Sequence, residues 1–187
     1  QSPYAASKIA GDQLALSYYR AFNVPSMILR PFNTYGPRQS SRAVIPTIIS
    51  QIASGAKNIK LGSVHPTRDF NFVEDTCRSF IAVANSSNTI GEVINSASNF
   101  EISIGETAFL ISKIMNSEIE ILEEDIRIRP EKSEVNRLFG SNDKLLRLTG
   151  WKPKFSGLDG FKEGLKLTID WFSDSNNLSY YSTNYEI

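Results

Sequence analysis

The spacing of apolar and polar positions changes several times along the chain, and each change predicts an element. Ser2-Pro3 supplies a side-chain cap and a proline suited to a first helical turn. Beyond it Ile9, Gln13, Leu16 and Tyr19-Arg20 recur at helical spacing, while Leu14, Tyr18 and Phe22 form a second apolar face. A helix is therefore predicted over residues 3–22, buried on two sides, and Asn23-Val24-Pro25 ends it. Ser26 to Arg30 reads as a short apolar strand, and Pro31 to Gln39 as a loop. Residues 43–54 repeat the helical pattern and Gly55 closes it. Short strands follow at Asn58 to Leu61 and Arg68 to Val73, then a helix from Glu74 to Asn85 and a strand from Glu92 to Asn95. Ser103 with Glu106 three residues on is a capping box for a helix to Met115. Glu118 to Leu122 is a strand, Ser141-Asn142-Asp143 starts a helix to about Thr149, and Gly157 to Phe172 is a last amphipathic helix. The tail 173–187, rich in Ser, Asn and Tyr, is expected to be loosely ordered. Strands alternating with helices give an α/β fold class, and the chain holds no internal repeat.

Composition narrows the functional classes. A length of 187 residues allows one domain or one and a half. A formal net charge of zero removes the electrostatic case for nucleic acid or an acidic membrane, although a few focused arginines still serve a phosphate. Cys77 is the sole cysteine, so no intramolecular disulfide forms, which fits a reducing cytoplasm. One histidine and one cysteine do not make a zinc site, and no metal is expected. No signal peptide and no apolar run near 18 residues appear. Gln1 stands where an initiator would, so the chain reads as part of a longer protein. His65 is expected to be exposed, Cys77 a small core residue, Trp151 and Trp171 packing anchors, and Lys60, Lys152 and Lys154 solvated.

Candidate chemistry begins with Tyr4-Ala5-Ala6-Ser7-Lys8. Spacing i, i+4 sets a phenol and an ammonium on one helical face. A neighbouring cation favours a phenol's ionised form, and such a pair takes a proton from a sugar hydroxyl or returns one. Alone, Tyr-x-x-x-Lys is common by chance. Three more motifs follow in order: Arg30-Pro31-Phe32-Asn33-Thr34-Tyr35-Gly36-Pro37-Arg38, then Arg68-Asp69-Phe70-Asn71-Phe72-Val73-Glu74-Asp75, then Arg129-Pro130-Glu131-Lys132-Ser133-Glu134-Val135 with Thr149-Gly150-Trp151-Lys152-Pro153. From residue 1 to about 172 this set resembles the extended short-chain dehydrogenase/reductases, specifically the nucleotide-sugar epimerases and 4,6-dehydratases. Together with Ala43-Val44-Ile45-Pro46, it is most similar to dehydratases acting on UDP- or GDP-linked N-acetylglucosamine, or on dTDP-glucose.

The resemblance implies the C-terminal part of a Rossmann-type parallel sheet with a smaller α/β substrate-binding domain. Residues 1–38 and 70–96 would belong to the former, and 39–69 and 97–172 to the latter. It implies NAD as cofactor and a nucleotide-diphosphate sugar as substrate. The reaction would oxidise C4, eliminate water across C5 and C6, and return hydride to give a 4-keto-6-deoxy sugar nucleotide. Tyr4 would be the base at the sugar O4 and Lys8 would tune it and hold the nicotinamide ribose. Pro31 and Asn33 would meet the cofactor, and Asn33 the substrate as well. Arg68 and Arg129 would hold the diphosphate, which calls for bidentate cations. Arg38, Val44, Ile59, Leu61 and Asn99 would complete the substrate site, Glu134 would brace Arg129 or face solvent, and Tyr35 would serve packing. A homodimer through the Tyr4–Lys8 helix is implied too.

One departure bears on all of this. No Gly-x-x-Gly-x-x-Gly turn for a pyrophosphate occurs in the chain. The acidic pair that separates dehydratases from epimerases is absent as well, so the 187 residues alone are expected not to turn over. Two other readings stay open: a 4-epimerase, and a non-catalytic module that binds sugar nucleotide or dimerises.

Overall fold

The computed structural model describes residues 2–127 and 134–178. Helix α1 (Pro3–Phe22) begins where the cap predicts: the Ser2 hydroxyl accepts the Ala5 amide at 3.1 Å, and Asn23 closes the helix in the left-handed conformation. Strand β1 (Ile28–Pro31) leads into β2 (Asn33–Tyr35), a strand inside the stretch expected to be a loop. Its pairing partner is distant in sequence, so local turn residues concealed it. Then come α2 (Val44–Ala53), β3 (Asn58–Leu61), β4 (Thr67–Phe72), α3 (Val73–Ala84), β5 (Val93–Ser96), β6 (Glu101–Ser103), α4 (Ile104–Ile114), β7 (Glu120–Glu123), β8 (Arg137–Leu138), α5 (Asp143–Thr149), α6 (Gly157–Ser173) and α7 (Ser175–Leu178). The capping box at Ser103 and Glu106 forms as predicted. Of the tail expected to be loose, α7 is helical, and residues 179–187 lie outside the described residues.

Among the described residues three small sheets result. β1 pairs in parallel with β5, and β3 in parallel with β7. β4 is the hub of the third: β2 runs parallel along Phe70–Phe72, β6 antiparallel along Thr67–Asp69, and β8 parallel at Thr67 and Arg68. One core fills the space between β2, β3, β4 and the helices α2, α4 and α6, with Ile45, Ile48, Ile49, Phe70, Phe72, Ile111 and Phe161 among its members. A smaller cluster packs Val83, Ile94, Leu145 and Trp151 around the β1–β5 pair.

Tyr35 anchors the larger core. It is buried, sits edge-on to Phe70, Phe72 and Phe161, and donates its hydroxyl to the Phe161 carbonyl at 3.3 Å. Burial pushes this phenol far above its ordinary range, with Asp75 and Glu163 adding to the rise. A Cβ on Gly164 would stand 2.1 Å from that hydroxyl. Gly164→Ala is therefore expected to cost about 1–3 kcal/mol in chemical denaturation through overpacking. A midpoint equal to that of the parent protein would show that α6 can move away from Tyr35.

Two expectations are corrected. Cys77 is exposed on α3. The buried positions of that helix are Asp75, Thr76, Ser79 and Val83, so the face of Cys77 turns outward. Within this chain α1 buries Leu16 alone, while Ile9, Leu14, Tyr18 and Phe22 stay exposed.

Candidate active site

A cavity of about 430 Å³ opens where the N-terminus of α2, the end of β3 and the start of β4 meet. Ligand pockets commonly have this size. Two local features build its rim. Gly36 adopts φ 146°, and a Cβ there would approach Val73 Cγ1 to 2.6 Å, so only glycine lets the chain turn from β2 across α3. The Gln39 side-chain amide then donates to the Thr34 carbonyl at 2.7 Å and holds the returning segment against β2. At the start of α2, Ala43 offers no side-chain cap and Pro46 carries no N–H. The Val44 and Ile45 amides thus begin the helix at the cavity wall, an arrangement favourable to anions.

Charge points the same way. Among the described residues, Arg42, Arg68 and Arg127 line the cavity together with the carboxylate of Glu134. Arg68 is held firmly, with its side chain 12% exposed. Its Nη1 donates to the Thr67 and Val135 carbonyls at 2.8 and 2.6 Å, and its Nη2 to Glu134 Oε1 at 3.0 Å. Glu134 therefore braces Arg68.

The Tyr-x-x-x-Lys pair stands on α1. Tyr4 is 72% exposed, and the Lys8 ammonium lies 5.4 Å from its ring centroid. Two contacts orient the helix against β1: Ser26 Oγ donates to the Ala15 carbonyl at 2.9 Å, and Arg30 pairs with Asp12 at 2.6 Å. Ser26, two residues before β1, thus meets a later turn of α1 than Arg30 within β1 does. Tyr4 and Lys8 consequently lie toward the carboxyl end of β1, from which Pro31 and Asn33 leave. Ligands of open parallel sheets bind outside such strand ends.

Of the residues that the sequence nominates, Asn33, Val44, Leu61 and Arg68 line the one cavity. Tyr4, Lys8, Pro31 and Arg38 are outside its lining; Arg38 is exposed in a left-handed conformation. Ile59 is fully buried in the larger core, because alternate residues of β3 turn inward. Asn99 is engaged with Asn142 through both ends of its amide, at 3.1 and 3.0 Å. Arg129 lies outside the described residues. Arg42, Gln39, Gly62 and Arg127 join the cavity without having been nominated. Arg127 stands two residues before Arg129 in one Arg-Ile-Arg-Pro run, and spacing alone does not separate them.

The Arg68–Asp75 motif divides its labour. Asp69 is fully buried and accepts the Ser98 amide and hydroxyl, both at 2.8 Å, and the Gly140 amide at 3.4 Å. Burial pushes its carboxyl above the usual range, opposed by these bonds and by one from the Asn99 backbone. Asn71 bonds Thr76 and Ser96, and Asp75 accepts the Lys154 and Phe155 amides at 2.9 and 2.8 Å. Arg68 alone of the motif's charged residues lines the cavity. Lys60 and Lys154, expected to be simply solvated, face Glu124 at 2.8 Å and Glu74 at 4.0 Å. Among the described residues no His, Cys, Asp and Glu group is arranged for a metal, and no helix is long and apolar enough to cross a membrane.

The family model for GDP-mannose 4,6 dehydratase matches residues 1–165. Human dTDP-D-glucose 4,6-dehydratase is 31% identical over 177 residues, covering 93% of this chain and 49% of the human protein. Among solved structures, dTDP-glucose 4,6-dehydratase from Bacillus anthracis in complex with NAD superposes with a TM-score of 0.81 at 27% identity, over 94% of this chain and 53% of that one. UDP-glucuronic acid 4-epimerase from Bacillus cereus, in complex with UDP-glucuronic acid and NAD, gives 0.79 at 27% identity, over 96% and 54%. The chain spans about half the length of the curated relatives it matches.

Proposed function

The chain belongs to the GDP-mannose 4,6 dehydratase family, and on that premise we propose that it serves an NAD-dependent nucleotide-sugar 4,6-dehydratase. The observation that carries this reading is the convergence of Arg42, Arg68, Arg127 and Asn33 on one cavity beside the α2 N-terminus. Guanidinium groups beside a helix N-terminus suit the diphosphate of a sugar nucleotide. Arg68 holds the phosphates, Val44 and Leu61 offer apolar wall, and Asn33 faces the ligand from β2. Residues 1–38 and 70–96 belong to the cofactor-binding unit, and 39–69 and 97–172 to the substrate unit, with α5 docked back on the first through Leu145.

The residues present fit one edge of NAD. A phenol and an ammonium, both exposed toward the carboxyl end of β1, are a donor set suited to ribose hydroxyls, and Pro31 leaves the same end. NAD, when bound, supplies the hydride acceptor and donor of the cycle. Tyr4 takes the proton from the sugar O4, and Lys8 holds the ribose. The relatives crystallised with NAD support this assignment. We place the protein in the cytoplasm, in keeping with its single cysteine, and as a homodimer through α1, whose exposed Ile9, Leu14, Tyr18 and Phe22 form an apolar surface.

The test is to incubate the intact protein, these 187 residues together with any sequence that adjoins them, with NAD and, in turn, UDP-N-acetylglucosamine, dTDP-glucose and GDP-mannose. A product lighter by one water and bearing a 4-keto group supports the dehydratase. A product of unchanged mass inverted at C4 would make it an epimerase, as the B. cereus neighbour is. Binding without turnover would leave a sugar-nucleotide module. Arg68→Ala is expected to raise KM about 10–100-fold with kcat largely kept, the loss of one charged phosphate contact. An unchanged KM in steady-state kinetics would remove Arg68 from the site.

A further inference from the structure

We infer that Asn71, a fully buried amide on β4, is a positioning residue that fixes Asn33 at the cavity wall through a run of buried hydroxyl groups. This rests on the nucleotide-sugar reading above and adds to it a residue outside the cavity lining. Asn33 lines the cavity from β2, a strand of three residues. In register, Asn33, Thr34 and Tyr35 stand opposite Phe70, Asn71 and Phe72 of β4. Alternate residues of a strand face opposite sides. Tyr35 turns into the larger core, whereas Thr34 and Asn71 both turn to Thr76 on α3.

The hydrogens of this group run in one direction. Asn71 Nδ2 donates to Thr76 Oγ1 at 3.0 Å and to Ser96 Oγ at 3.1 Å. Ser96 donates to Ser79 Oγ at 2.9 Å, and Ser79 to the Thr76 carbonyl at 2.6 Å. The Thr34 hydroxyl donates to the Phe32 carbonyl at 3.2 Å, so Thr76 is the donor in its 3.1 Å contact with Thr34. Asn71, Ser79 and Ser96 are fully buried, and Thr76 nearly so. Ser96 also acts through its backbone: its carbonyl accepts the Phe32 amide at 2.9 Å. Asn33 therefore stands between Phe32 and Thr34, each tied to a residue that Asn71 bonds.

Stability alone does not account for this amide. Asn71 Oδ1 is buried and has no partner among the described residues. A buried acceptor left in that state costs stability, and an apolar side chain of similar size would not carry the cost. The residues on either side of it, Phe70 and Phe72, are core aromatics. What Asn71 supplies is direction. One hydrogen goes to α3 and the other to β5, and the α3 contact carries on to Thr34. Tyr35 holds β2 from one face and Thr76 holds it from the other, so the short strand presents Asn33 in one place. Buried polar groups of this kind select one arrangement of the chain more than they stabilise it.

The test uses the intact protein, these 187 residues together with any sequence that adjoins them. Calorimetry gives Kd for UDP-N-acetylglucosamine, dTDP-glucose and GDP-mannose, and the tightest of the three is titrated into Asn33→Ala, Asn71→Leu and the double variant. Each single variant is expected to raise Kd about 3–10-fold, the loss of one neutral hydrogen bond to the ligand. The double variant should bind as Asn33→Ala does, because Asn71 acts through Asn33 and not beside it. Amide exchange across β2 should quicken about 10-fold in Asn71→Leu while the urea midpoint stays at the parent value. Should Asn71→Leu fail to fold, Thr76→Val decides, since it cuts the same path next to Thr34. Kd within twofold of the parent in Asn71→Leu, alongside a weakened Asn33→Ala, overturns the inference and leaves the proposed function standing. A double variant weakened by the product of the two single effects overturns it as well. Kd unchanged in Asn33→Ala would overturn the inference and also remove Asn33 from the site.

Discussion

Tyr4→Phe in the intact protein is expected to lower kcat by about 10²–10⁴-fold, the range for loss of a positioned general acid–base group. The substitution removes one hydroxyl. Tyr4 is 72% exposed in the first turn of α1 and belongs to neither core cluster, so the thermal midpoint should not move. Tyr4 is also outside the arginine-lined cavity, so KM for the nucleotide sugar should stay near its parent value. That pattern is the reverse of the one expected for Arg68→Ala. The measurement is the rate of 4-keto product formation at saturating substrate, with the midpoint recorded on the same sample. An undiminished rate would show that another group moves the O4 proton and would strip Tyr4 of its role.

The second large effect concerns stability. Asp75→Ala is expected to cost about 3–5 kcal/mol, mainly because two backbone amides lose their acceptor. Asp75 is fully buried at the start of α3. One oxygen accepts the Lys154 amide and an Arg78 guanidinium nitrogen, and the other accepts the Phe155 amide at 2.8 Å. Phe155 packs on Phe72 with ring centroids 4.4 Å apart, so this carboxylate joins α3, β4 and the entry to α6. Without it a buried amide loses its acceptor, and each such loss costs about 1–3 kcal/mol. Arg78 is the smaller part, since its half-exposed side chain turns to water. Asp75→Asn keeps an acceptor oxygen and should lose roughly half as much. Urea denaturation of the three proteins reads the difference. A midpoint for Asp75→Ala equal to that of the parent would mean that the α6 entry holds by packing alone.

Local pattern determined a large part of the architecture. α1 was legible because a cap, a first-turn proline and a left-handed asparagine are signals carried by neighbouring residues. β3 and α5 keep their predicted limits, and α4 begins at its predicted capping box. β2, β6 and β8 were not legible, because each is two or three residues long and exists only by pairing with β4. Motif order brought out the family, and Arg68 and Asn33 within it stand on the cavity. The same motif gave no sign that Asp69 and Asp75 are fully buried structural acceptors, since a buried carboxylate and a binding one are the same letter.

By itself, then, the sequence determined the α/β class with its longer helices and strands, the Tyr4–Lys8 spacing and the membership of the family, because each depends on residues near one another or on motifs in order. Only the tertiary structure decided which side chains share a site. It turned Ile59 into the core, tied Asn99 to Asn142, and set Arg42 and Arg127 beside Arg68. The reason is physical: convergence on a cavity is a property of chain segments far apart in sequence, fixed by strand pairing and by close approaches such as Gly62 on Arg127. No local spacing encodes such an approach.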